Sequence, residues 1–267
     1  MRDTYGRVLR TGAAVAAGMA LLAACSPGDG GGDGKPPRRT PSTSASGTPS
    51  PTPSGPGVAL DPKKAPRTAA DAKRLALAVV AGPDAWGPEY VKRSPFLSGP
   101  GSWPVLDANC TWEAGSLPGS VLYSVTSYSE IPAAGGKGVL RVAATVTIHR
   151  TESDADWEMA ETLEEALRCP DQRLREGERI SSLTSVSPLY DDASTTDDLL
   201  VERGSYLTDA FKGPQFYTWF QSRIGQVSFA TVIKGAPGYT EAKITDAQVR
   251  ANVIMQDRVK KQWGAQS

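Results

Sequence analysis

Phe216-Tyr217-Thr218-Trp219-Phe220 is the stretch of this 267-residue chain that most invites a chemical reading. A strand with one wet face alternates polar and apolar side chains. Here Phe216 and Phe220 fall on one face and Tyr217 and Trp219 on the other. Two readings stay open. Either this is a central strand with both faces covered, or Tyr217, Trp219 and Arg223 line one side of a groove. Aromatic walls with a cationic group suit an amphiphile, a glycan or a peptide.

Residues that usually carry catalysis are sparse. His149 is the only histidine, at a strand end beside Arg150, where a surface or hydrogen-bonding role accounts for it better than general-base duty. The chain has no G-x-S-x-G elbow, no S-x-x-K and no H-E-x-x-H. Ser205 follows a glycine on a strand, with no helix to complete an elbow. The acidic pairs Asp191-Asp192 and Asp197-Asp198 lack the alternating oxygens and the glycine of a calcium loop, and read as a solvated hairpin loop. Glu161, Glu164 and Glu165 read as the wet face of a helix. No catalytic residue, metal site or cofactor is expected, and the function expected is non-enzymatic.

The elements that would position these residues follow from periodicity. Thr68 and Asp71 have capping-box spacing for a helix over 69–81, with Ala72, Leu75, Ala76, Val79 and Val80 as its apolar stripe. Gly82-Pro83 ends it. Residues 84–115 read as an irregular, proline-punctuated stretch pinned by Trp86, Phe96, Trp103 and Trp112. Strands follow over 120–129 and 138–150, the second with Leu140, Val142, Ala144, Val146 and Ile148 on one face, joined as a hairpin. Ser153 and Asp156 then open a helix whose inner residues are Trp157, Ala160, Leu163 and Leu167. Strands over 180–186 and 199–207 precede a hairpin of 216–222 and 227–233 turning at Gly225. A last helix opens at Thr245 and Gln248, with Val249, Val253, Val259 and Trp263 inward. The fold class expected is α+β, a single domain with a twisted antiparallel sheet flanked by helices.

The N-terminal region points to an address. Arg2, Arg7 and Arg10 precede a short apolar run, Ala13 to Ala24, well below the ~20 residues a membrane-spanning helix needs. Leu22-Ala23-Ala24-Cys25 resembles a bacterial lipoprotein lipobox. The resemblance implies a signal peptide over 1–24, a diacylglyceryl (palmitate-type) lipid anchor on Cys25, and localisation on the outer face of the cell membrane. Residues 25–60, rich in Gly, Pro, Ser and Thr, read as a disordered linker reaching up to ~100 Å at about 3.1 Å per residue. Residues 61–267 are left as the extracytoplasmic domain. The whole chain has 29 basic and 29 acidic side chains; a leader with three arginines and one aspartate leaves the remainder near −2. That weakly acidic balance argues against nucleic acid as a partner. With Cys25 lipidated, Cys110 and Cys169 pair as a disulfide in an oxidising compartment.

An alanine-rich first helix, the loop Cys110-Thr111-Trp112, a long strand leading directly into a helix that ends in Cys169, then a hairpin and a terminal helix, together resemble the PknH-type extracellular sensor domains of actinobacterial cell-envelope lipoproteins. The resemblance covers most of residues 65–263 and implies a twisted antiparallel sheet with a groove for an unidentified ligand. Such domains often carry two disulfides, and this chain has cysteines for one. The function expected is a ligand-binding or sensing lipoprotein of the envelope. The alternatives are an interaction or scaffold module for another envelope protein, marked by a flat apolar patch, and a hydrolase, marked by a cleft with two converging carboxylates.

Overall fold

The computed structural model describes residues 59–186 and 196–264. The leader, Cys25 and the linker up to residue 58 lie outside the described residues, as do Asp191 and Asp192. Along the chain run α1 (Ala69–Val79), α2 (Pro83–Trp86), β1 (Val91–Leu97), β2 (Ser102–Leu106), β3 (Trp112–Ser116), β4 (Val121–Ile131) and β5 (Leu140–His149). Then come α3 (Glu152–Arg168), β6 (Gln172–Arg175), β7 (Glu178–Val186), β8 (Asp198–Thr208), β9 (Gln215–Ile224), β10 (Val227–Lys234) and α4 (Glu241–Trp263). The class is α+β. Eight strands form one curled antiparallel sheet in the order β1-β4-β5-β10-β9-β8-β7-β6, and β2 and β3 pair separately.

The larger hydrophobic cluster lies on one face of this sheet, and a smaller one, Ala166, Ile180, Leu183, Tyr206 and Tyr217, lies on the α3 side. Leu140, Val142, Ala144, Val146 and Ile148 of β5 are all buried, as their alternation requires. The antiparallel register sets Phe229 beside Val146 and Ile233 beside Val142. Ala72, Ala76 and Val79 of α1, Trp86 of α2, and Ile244, Met255 and Val259 of α4 pack on them in a single cluster. Each large apolar side chain taken from water there contributes about 1.5–3 kcal/mol. Thr68 caps α1 as expected, its hydroxyl accepting from the Asp71 N–H at 3.1 Å and donating to that residue's carboxylate.

Several expectations fail, each for a local reason. Residues 84–115 are not irregular, because β1, β2 and β3 lie within them. Pro95 is tolerated in β1 because β1 is a sheet edge, with a bulge between Lys92 and Leu97. Trp86 is a core residue, not a surface pin. α4 opens at Thr240, whose hydroxyl accepts from the Lys243 N–H, so Thr245 and Gln248 lie inside the helix. The Gln248 side chain instead donates to the carbonyls of Thr218 and Thr231, at 3.4 and 3.0 Å. Gln248, Asn252 and Gln256 are buried, Val249 and Val253 are exposed, and Val259 and Trp263 are buried as expected.

The hairpin of β9 and β10 turns at Gly225, whose φ of +55° lies in the left-handed region that glycine adopts without steric cost. β9 is a central strand, with β8 on one side and β10 on the other. Its Thr218 and Ser222 meet α4; Tyr217 and Trp219 point the opposite way.

Candidate ligand-binding groove

The second face of the sheet is crossed by α3, and the sequence of α3 explains why a space remains beneath it. Thr151 and Asp154 form the reciprocal capping box, two residues before the Ser153 and Asp156 expected from the same spacing. The buried residues of α3 are Ala155, Met159 and Ala166, two of them too small to fill much volume. The stripe expected inward is outward: Trp157 is 66% exposed and Leu167 74%, with Ala160 and Leu163 also exposed. The sheet under α3 offers Thr145, Thr147 and Ser228, so polar side chains turn towards it and bulky apolar ones do not. Glu158, Glu161, Thr162 and Glu165 therefore border a groove of about 280 Å³. Of the three glutamates expected on the wet face, Glu161 and Glu164 are exposed as expected, and the half-buried Glu165 is not.

Tyr217, Trp219 and Gln221 of β9, Glu202 of β8, and Ser228, Ala230, Val232 and Lys234 of β10 supply much of the floor. The β2–β3 hairpin closes one side with Trp103 and Trp112. That wall is fastened at several points. Cys110 and Cys169 form the expected disulfide. The Trp112 indole donates to Gln172 Oε1 at 2.8 Å, and Arg173 N–H donates to the Cys110 carbonyl at 2.8 Å. Arg168 at the end of α3 also donates to the carbonyl of Asp107, at 3.1 Å.

The electrostatics are acidic. Glu202 is 6% exposed, and its Oε1 has no hydrogen-bond partner among the described residues. Burial, then the nearby Glu165 carboxyl, pushes its pKa up to about 8. Burial, with Glu161 next in importance, pushes Glu165 up to about 7. Burial also drives the Tyr217 hydroxyl far above its ordinary range. The groove ammonium, Lys234, donates to Glu178 at 2.9 Å. Burial raises Glu178, but hydrogen bonds from Arg175 and Lys234 outweigh it and hold the carboxyl at about 2.

His149 does not build a catalytic relay. It is buried, and the same nitrogen, Nε2, lies 3.0 Å from Glu158 Oε2 and 3.4 Å from Ser228 Oγ, while Nδ1 has no partner among the described residues. A Ser-His-carboxylate relay needs the two partners on opposite nitrogens. Ser228 donates directly to Glu158. Among the described residues no group of three or more His, Cys, Asp or Glu side chains could hold a metal ion.

Of the three residues singled out from the aromatic strand, Tyr217 and Trp219 line the groove and Arg223 does not. The Arg223 guanidinium donates to Asp198, approaches Asp197 at 3.5 Å and reaches the Gly225 carbonyl at 3.1 Å. Those two aspartates, read as a solvated loop, anchor the β9–β10 turn. The sequence reading missed the carboxyls. For Glu202 the available signal was a lone charge inside the strand pattern Leu199-Leu200-Val201-Glu202. For α3 it was the alternative stripe Ala155-Met159-Thr162-Ala166, at helical spacing but of small and polar residues. No family model matches the chain, and comparison with curated protein sequences finds no significant match.

Proposed function

We propose that this protein is an extracytoplasmic envelope lipoprotein, lipid-anchored through Cys25, whose groove under α3 binds a small ligand without transforming it, in the manner the resemblance to PknH-type sensor domains implies. The observation carrying this reading is convergence. Two aromatic residues of a central strand, two tryptophans of a separate hairpin and a buried carboxyl with one oxygen unpartnered among the described residues all line one space. An apolar core would not collect such groups. The Arg-rich leader, the lipobox and the long linker support the anchor, which would hold the domain clear of the membrane surface.

Replacing Trp219 by alanine tests the binding claim, because Trp219 is only half-buried and lines the groove. Small molecules released by denaturing full-length protein, purified from the membranes of its producing cells, are compared by mass spectrometry. Wild type should release one compound at near-stoichiometric yield and Trp219→Ala at least tenfold less, with little change in the unfolding midpoint. Equal recovery from both proteins would remove the groove from the account.

One observation favours a second reading, hydrolysis. An ionised Glu165 in the same groove as a protonated Glu202 would make a base and an acid available together. In that case Glu202→Gln would bind substrate and fail to turn it over. The outer face of α3, with Trp157 and Leu167 in solvent, is where an interaction module would seat its partner.

A further inference from the structure

Resting on the groove-binding reading, we infer that the ligand carries a protonated amine, received by Glu202 and Glu165 against the aromatic face of Trp219. The charges in the groove are unbalanced in one direction. Among the described residues, four glutamates, Glu158, Glu161, Glu165 and Glu202, line it with a single ammonium, Lys234. That ammonium is already engaged by Glu178. Glu158 accepts from Ser228 and lies 3.0 Å from His149, and Glu161 accepts from the Trp157 indole at 2.9 Å. Among the described residues, Glu165 and Glu202 have no cation in contact. Glu202 is the more telling, since it is more than nine-tenths buried and one carboxyl oxygen has no partner among the described residues.

A buried carboxyl in that position keeps its proton until a positive charge arrives. The cross-strand register places Trp219 directly opposite Glu202, with Tyr217 two residues along on the same face. An ammonium held between a carboxylate and an indole face gains a charge-assisted hydrogen bond and a cation–π contact. An anion would meet unneutralised carboxyls, and a neutral ligand would leave the carboxyl pair as it was. At about 280 Å³ the space lies at the lower end for small-molecule sites, so the ligand is compact.

Binding an ammonium turns the carboxyls into carboxylates, so the ligand's arrival releases protons. The groups acting on Glu202 and Glu165 are Glu158, Glu161, Glu164 and the cation Arg168 from α3, Tyr217 from β9 and Lys234 from β10, with Glu178 beyond the lysine and His149 beyond Glu158. Arg168 offsets the rise at Glu165 only in part, its guanidinium being bound to Glu164 and the Asp107 carbonyl, and Lys234 is held by Glu178. Affinity for a cation should therefore rise with pH through the neutral range and level off above about pH 8.

Three probes of one shape test this on the full-length chain by isothermal titration calorimetry: 2-phenylethylamine, 2-phenylethanol and 3-phenylpropionate, at pH 6.5 and 8.5. The amine should bind at least tenfold more tightly than the alcohol at pH 8.5 and lose at least fivefold in affinity at pH 6.5. The propionate should not bind. Glu202→Gln, a near-isosteric change, should erase the preference for the amine and most of its pH dependence. If the alcohol binds as tightly as the amine, or if Glu202→Gln keeps the preference, the charge assignment is wrong while the groove stands. If none of the three binds, both fail.

Discussion

Replacing Cys110 and Cys169 together by alanine is expected to lower the unfolding free energy by about 4 kcal/mol, the loop-closure entropy of a cross-link across some 60 residues. The effect should reach beyond stability. β2 and β3 pair only with each other, so Trp103 and Trp112 depend on fastenings at the hairpin's base. The disulfide is the covalent one; the Trp112–Gln172 bond, the Arg173–Cys110 backbone bond and the Arg168–Asp107 bond are among the others. Without the cross-link those bonds must hold the wall unaided, at about 0.5–1.5 kcal/mol each. Urea denaturation of wild type and the double variant gives the stability change directly. Ligand affinity should fall in the double variant even well below its unfolding midpoint. A loss under 1 kcal/mol, or unchanged affinity, would mean that the hairpin is held by the rest of the domain.

The second large effect is a dependence of stability on pH that runs opposite to ordinary acid denaturation. Glu202 titrates at about 8 in the fold against an ordinary 4.5, so below pH 4.5 the folded and unfolded states are both protonated and its full contribution to stability is present. As pH rises from 4.5 towards 8, the unfolded carboxyl ionises freely and the buried one does not, and that contribution is lost. At 1.36 kcal/mol per pKa unit the loss is on the order of 5 kcal/mol, with Glu165 adding in the same sense because it too is raised, to about 7. For a domain of this size that is roughly a 10 °C drop in Tm. Glu178 acts the other way, but only below pH 4.5, where its depressed pKa of about 2 makes its stabilisation fade on acidification. Wild type should therefore melt higher at pH 5 than at pH 8.5, and Glu202→Gln should flatten most of that difference. Parallel curves for the two proteins would show that Glu202 is ionised in the fold.

What was legible in the sequence was whatever a simple apolar period dictates. The alternation of β5, the Thr68 cap, the β9–β10 turn at Gly225 and the pairing of the two remaining cysteines all appear where the residues place them. Both helices that touch polar parts of the sheet were read the wrong way round at some positions. On α3 the rule that bulky apolar residues face inward put Trp157 and Leu167 against the sheet, whereas Ala155 and Ala166 make that contact. On α4 the same rule chose Val249 and Val253 over Gln248 and Asn252. A helix facing polar strand residues, or roofing a cavity, turns polar side chains inward, and a single period cannot distinguish that from a wet face. The aromatic strand shows the converse. The central-strand reading holds, with one face under α4; the other face presents Tyr217 and Trp219, but not Arg223, to the groove.

The tryptophans of this chain permit the most direct test of the central claim, because they divide evenly by place. Trp103, Trp112 and Trp219 line the groove, while Trp86 and Trp263 sit in the core across the sheet and Trp157 lies in solvent on α3. Each indole N–H gives its own signal in a nitrogen–proton correlation spectrum of labelled full-length protein. On titration with 2-phenylethylamine at pH 8.5, the signals of Trp103, Trp112 and Trp219 should move together and saturate, leaving Trp86, Trp157 and Trp263 in place. Movement centred on Trp157, or no saturable movement in the groove set, would contradict the account.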